Sequence, residues 1–147
     1  MLMIEYRDSI STSLASQNFD AEMAGLPGRY AAPSGCILLA VTPQDGPVGC
    51  IAMREIDAGP LGRTCEMKRL YVKPSHRRFG VGRAMCRELI GRARSVGYAA
   101  MRLDTDRAMT PAVTLYRSLG FAPIPRYNDD PIPDTLYFEL ALVPAVG

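Results

Sequence analysis

Apolar and polar positions fall along this chain in two rhythms, a period near two and a period near three and a half. Cys36 to Thr42 is a short apolar run and reads as a strand. Val48 to Ile56 reads as the next, and the turn Asp45-Gly46-Pro47 between them predicts a hairpin. Cys65 to Val72 is a third extended run, closed by Pro74. The segment from Asp57 to Arg63 holds several glycines and prolines and reads as a loop. From about Gly80 to Val96 the rhythm lengthens. Val81, Ala84, Met85, Leu89, Ile90 and Ala93 form one helical stripe, and Gly97 ends it.

Ala99 to Thr105 reads as a strand. Thr110 to Leu119 reads as a helix with Thr110 as its cap, Pro111 in its first turn and Gly120 at its end. Phe121 to Ile124 and Thr135 to Leu142 read as strands flanking a polar, proline-bounded loop, Arg126 to Pro133. At the other end, Leu2, Tyr6, Ile10 and Leu14 recur every four residues, which predicts a helix over Met1 to Ser16. A second short helix is expected over Asp20 to Gly25. Strands alternating with helices predict an α/β fold, a mixed and partly parallel central sheet covered by helices.

Composition narrows the class. At 147 residues the chain is long enough for one domain, residues 1–147, with a real core. No apolar run nears the roughly 20 residues that span a bilayer, so no membrane partner is expected. The first residues do not read as a secretory leader, and Cys36, Cys50, Cys65 and Cys86 show no metal-type spacing. Reduced thiols and a cytoplasmic location are the expectation, with no metal site. The net charge of +2 is unevenly spread. Arg63 to Arg94 holds ten Lys/Arg against two acids, a local +8. The rest holds seven against thirteen, or −6. Aromatic interleaving of the kind that single-stranded nucleic acid requires is missing, so a compact polyanion explains the basic block better than nucleic acid does.

The sharpest feature is Arg77-Arg78-Phe79-Gly80-Val81-Gly82, placed between a strand and a helix start. Glycines let backbone N–H groups converge, and the first amides of a helix have no internal partner. A pyrophosphate supplies what they lack, and Arg77, Arg78 and Arg83 add forked donors. The dinucleotide fingerprint fails here because its third glycine position is Met85, and no Gly-Lys-Ser/Thr follows for a triphosphate loop. The segment instead resembles the Arg/Gln-x-x-Gly-x-Gly/Ala loop of the GNAT superfamily of acyl-CoA-dependent N-acetyltransferases. The resemblance runs from about Cys36 to Leu142 and includes Leu115-Tyr116-Arg117-Ser118-Leu119-Gly120-Phe121, similar to that family's Leu-Tyr-x-x-x-Gly-Phe.

The resemblance implies a GNAT fold and acetyl-CoA as co-substrate, bound by Arg77, Arg78, Phe79, Gly80, Val81, Gly82, Arg83 and Ala84. It implies that the strand before the loop parts from its neighbour, so that amides around Leu70, Tyr71 and Val72 serve the pantetheine and the thioester carbonyl. Members of the family usually open with a strand. Here that strand is either missing or supplied by Met1 to Ile4, and a bare sheet edge would favour pairing with a second copy. Glu66 occupies a position where the family often places a catalytic base. A partly desolvated carboxylate suits that work, and a structural ion pair with Lys68, Arg69 or a nearby arginine explains it equally well. Tyr116 corresponds to the tyrosine that commonly faces the sulfur, and a phenol can protonate a departing thiolate. Arg102 and Asp104 read equally as ordinary outward-facing strand residues, and the lone His76 receives no role. Tyr127 and Asn128 sit on the loop expected to face the substrate. The expected reaction is direct attack by a primary amine, of a small molecule or a protein, in a ternary complex. The alternative is a silent acyl-CoA-binding sensor or interaction module.

Overall fold

A computed structural model describes residues 3–6, 30, 33–129 and 133–142. The strands are β1 (Met3–Tyr6), β2 (Cys36–Thr42), β3 (Gly46–Gly59), β4 (Gly62–Val72), β5 (Ala100–Asp106), β6 (Ala122–Pro123) and β7 (Thr135–Ala141). The helices are α1 (Val81–Val96) and α2 (Thr110–Ser118), with a short 3-10 turn at Pro74–His76. Among the described residues the strands make one seven-stranded sheet in the order β1-β2-β3-β4-β5-β7-β6. Only β4 and β5 pair in parallel; the other pairs are antiparallel. The expected mixed, partly parallel sheet is present.

Three expectations change. Met3–Tyr6 is a strand, not part of a helix, and pairs with Leu38 to Val41. The family's opening strand is therefore present and fills the edge beside β2. The segment 57–63 is not an open loop. Strands β3 and β4 run on through the glycines to pair Gly59 with Gly62, leaving only Pro60 and Leu61 at the tip. The Glu55 carboxylate takes two hydrogen bonds from Arg63, at 2.9 and 3.0 Å, and ties the hairpin together. Helix α2 has Met109, not Thr110, at its cap position. Asp106 organises the turn before it by accepting the Ala108 amide at 2.8 Å. The helix expected over Asp20 to Gly25 lies outside the described residues.

Strand alternation gives the sheet two unlike faces. Cys65 and Met67 of β4, Met101 and Leu103 of β5 and Phe138 of β7 join Met85, Leu89 and Ala93 of α1 in one buried core. The Met, Leu and Phe side chains among these each contribute roughly 1.5–3 kcal/mol by leaving water. The alternate residues face the other way: Glu66 and Lys68 on β4, Arg102 and Asp104 on β5, Tyr137 and Glu139 on β7. They form a polar face held by ion pairs and hydrogen bonds, such as Arg102 to Glu139 at 2.8 Å.

One irregularity positions the site. Cys50 lies opposite Tyr71 and Ala52 opposite Lys68, so β4 carries one more residue than β3 between these pairs. Arg69, at φ 65°, absorbs the extra residue as a bulge. A bulge bends and twists its strand. The parallel pairing with β5 covers only Thr64 to Glu66 and stops before the bulge. Beyond it β4 and β5 part.

Candidate active site

Where β4 and β5 separate, a groove of about 930 Å³ opens. Its walls are the ends of both strands, the first turn of α1 and one side of α2. The gap lets residues from both faces of the sheet reach one space: Tyr116 from the helical side, Lys68 and Asp104 from the polar side.

One end of the groove is an amide corner. Gly80 precedes α1 at φ 79°, a left-handed conformation that disfavours any residue with a Cβ. The first bond of the helix is Ala84 N–H to the Gly80 carbonyl at 3.0 Å, so Val81, Gly82 and Arg83 present amides ahead of it. A Cβ built on Gly80 would meet nothing within 4 Å, which leaves the corner open above it. Arg77 anchors itself by donating from Nε to the Val72 carbonyl at 2.8 Å, and its guanidinium lies 5.7 Å from the Tyr71 ring centre. Arg83 donates to the Ser118 hydroxyl at 2.8 Å, clamping α1 to α2. The donor set, the charge and the free space fit a diphosphate.

Of the residues expected to hold the donor, Leu70, Tyr71, Val72, Arg77 and Arg78 line the groove, and so do Gly80, Val81, Gly82 and Arg83. Phe79 is 76% exposed and does not line it. Ala84 also stands outside the lining, and its amide is engaged by Gly80.

Tyr116 lines the groove from α2, its ring edge-on to Phe121 at 5.9 Å. Its hydroxyl has no hydrogen-bond partner among the described residues. Burial pushes that hydroxyl well above the usual phenol range, with the charges of Cys86 and Asp104 adding to the effect. It is therefore protonated at neutral pH.

Glu66 does not line the groove. It is 2% exposed, and both carboxylate oxygens are engaged. Arg54 donates to Oε1 from Nε at 3.1 Å and from a terminal nitrogen at 3.0 Å, and Lys68 stands 3.7 Å away. Tyr127 donates to Oε2 at 2.6 Å. Burial, then the hydrogen bond to Glu66, hold the Tyr127 hydroxyl far above its ordinary range. Tyr127 and Asn128 do not line the groove either; each steadies a carboxylate. Asn128 donates to Asp104 Oδ2 at 2.8 Å and accepts from the Tyr137 hydroxyl at 3.1 Å.

The sequence offered Lys68 only as an ion-pair partner of Glu66, and Asp104 only as an outward-facing strand residue. Their alternation with Met101, Leu103 and Met67 shows that they leave the core face, but not that the sheet opens beside them. Among the described residues no cluster of His, Cys, Asp or Glu could hold a metal ion.

Comparison with known proteins follows the same outline. The profile of the acetyltransferase (GNAT) family matches residues 4–121. An uncharacterized N-acetyltransferase of Schizosaccharomyces pombe is 37% identical over 142 residues, covering 97% of this chain and 85% of that one. An acetyltransferase of the GNAT family from Staphylococcus aureus superimposes with a TM-score of 0.76 at 14% identity, over 96% of this chain and 100% of that one. A GNAT family acetyltransferase from Elizabethkingia anophelis, solved with acetyl-CoA bound, gives a TM-score of 0.69 at 19% identity, over 95% of this chain and 97% of that one. At these identities the two structures establish the fold.

Proposed function

The chain belongs to the acetyltransferase (GNAT) family, and from that premise we propose that it carries an acetyl group from acetyl-CoA to a primary amine by direct attack within a ternary complex. The observation that carries this is the groove between β4 and β5, with the α1 amide corner at one end and Tyr116 on its wall. The diphosphate of the donor lies on the amides of Val81, Gly82 and Arg83, flanked by Arg77 and Arg78. Its pantetheine follows β4 from Val72 toward Leu70, where the backbone amides receive the negative charge that develops on the carbonyl oxygen. Tyr116 gives its proton to the departing sulfur. The contacts of Glu66 support its ion-pair role: a carboxylate held by Arg54, Lys68 and Tyr127 fixes the polar face and the loop above it.

The acceptor is the amino group of a small molecule or a protein. Four free, buried cysteines suit a reducing compartment such as the cytoplasm, and no described helix is long and apolar enough to cross a membrane.

The test is release of free coenzyme A thiol from acetyl-CoA over a panel of amines, with the acetylated product identified by mass. Amine-dependent thiol release that collapses in Tyr116→Phe supports the reading. Tight acetyl-CoA binding without turnover on any amine sinks it in favour of a sensor.

A further inference from the structure

We propose that Asp104 holds the acceptor's amino group and takes up its proton. The proposal rests on the acyl-transfer reading above and assigns a role that the sequence did not.

Three carboxylates stand near the opening, and the geometry separates them. Glu66 is closed off behind the wall, with donors on both oxygens. Asp106 lines the groove but is exposed, and its Oδ1 is engaged by the turn into α2. Asp104 lines the groove with its side chain only 13% exposed, so water is largely excluded while one approach stays open. Lys68 reaches its oxygens at 3.2 and 3.4 Å and Asn128 at 2.8 Å. An ionised carboxylate offers about four acceptor positions, so these three contacts fix its orientation and leave capacity for one more donor.

Position agrees with chemistry. Asp104 comes from the polar face of the sheet and Tyr116 from the helical side, and the gap lies between them. An amine attacking the carbonyl carbon and a sulfur leaving it need a proton acceptor and a proton donor in different directions. Arg77, Arg78 and Arg83 gather at the α1 end, and the acids on the wall, Asp104 and Asp106, both come from β5, where Lys68 and Arg69 of β4 also line the groove.

The step balances. The amine nitrogen bonds to the acyl carbon, the carbon–sulfur bond breaks, the N–H proton passes to Asp104 and the Tyr116 proton passes to sulfur. Asp104 then returns its proton to the Tyr116 phenolate through solvent, and the products are the amide and the free thiol. An acceptor arriving as an ammonium first releases one proton to solvent.

The test compares wild type, Asp104→Asn and Asp104→Glu on the amine that wild type turns over best, with acetyl-CoA affinity measured by calorimetry and folding by thermal melting. Asp104→Asn is expected to lose on the order of 100-fold in kcat/KM for the amine. Acetyl-CoA affinity should stay within about threefold. Asp104→Glu keeps the charge and should recover part of the rate. If Asp104→Asn melts early, Asp104→Ser carries the comparison, and an unchanged kcat there overturns the proposal. A live wild type with an equally live Asp104→Asn removes Asp104 alone. Wild type that binds acetyl-CoA yet acetylates no amine removes the acyl-transfer reading and Asp104 with it.

Discussion

Tyr127 donates its hydroxyl to Oε2 of Glu66 across 2.6 Å, although the two residues are 61 positions apart in the chain. The bond ties the loop after β6 to the centre of the sheet. The Tyr127 ring is itself held, 5.2 Å from the Arg102 guanidinium and edge-on to Tyr137 at 5.3 Å. A carboxylate bound in this way is a structural keystone first, and its variants should say so. Glu66→Gln leaves Arg54 and Lys68 facing a neutral amide, and the expected loss is roughly 3 kcal/mol in urea unfolding, the scale for removing one partner of a buried pair. Tyr127→Phe strands one oxygen of Glu66 and is expected to cost about 1–3 kcal/mol. Full stability of Glu66→Gln with a collapsed kcat would instead make Glu66 the base.

Tyr116→Phe separates chemistry from folding. Because the Tyr116 hydroxyl has no described partner, its removal orphans nothing, and stability should hold within about 1 kcal/mol. Thiol release should fall on the order of 100-fold in kcat with KM for acetyl-CoA little changed. A variant that keeps its kcat would assign thiolate protonation elsewhere.

Gly80→Ala tests the amide corner. The added methyl meets no protein atom within 4 Å, so the fold suffers only through the φ of 79°. That strain is expected to cost about 1–2 kcal/mol. The methyl stands where the diphosphate would lie, so acetyl-CoA affinity should drop about tenfold, near 1.4 kcal/mol. Calorimetric titration reads this directly, and an unaltered Kd would move the phosphates away from the corner.

Much of this was visible in the one-dimensional pattern. Strands β2 to β5 and β7 announced themselves by apolar runs, α1 by its helical stripe, α2 by its proline and terminal glycine, and the α1 corner by its glycines and arginines. The first strand did not. Met3–Tyr6 has four residues, too few to carry a period of its own, and its conformation is decided by pairing with β2. The glycines and prolines of 57–63 suggested a loop because turn chemistry is local, while the hairpin is closed by the Glu55–Arg63 pair across it. That Lys68 and Asp104 border the groove stayed hidden for a different reason. Alternation assigns a side chain to a face, but the parting of β4 from β5 depends on one extra residue at Arg69, which has no signature in composition.

Alkaline pH should unfold the protein over a definable window. Burial pushes the thiols of Cys50, Cys65 and Cys86 up to about 12 and that of Cys36 to about 11, from an ordinary 9.0. Below pH 9 the thiols are protonated whether the chain is folded or unfolded, and stability is flat. Above it the unfolded chain loses thiol protons that the folded chain keeps, so stability falls by roughly 1.4 kcal/mol per pH unit for each such thiol until the folded values are reached. Urea midpoints from pH 7 to 11 check this. A midpoint unchanged through pH 11 would mean that these thiols are not shielded.

Among the described residues, the two halves of the sheet are joined where Thr64, Cys65 and Glu66 pair with Ala100, Met101 and Arg102. Strands β1 to β4 lie on one side of that seam and strands β5 to β7 on the other. A donor molecule lodged beyond the seam would touch both halves and act as a brace across it. Its binding energy would be read as added resistance to unfolding, concentrated on the amides flanking the cleft.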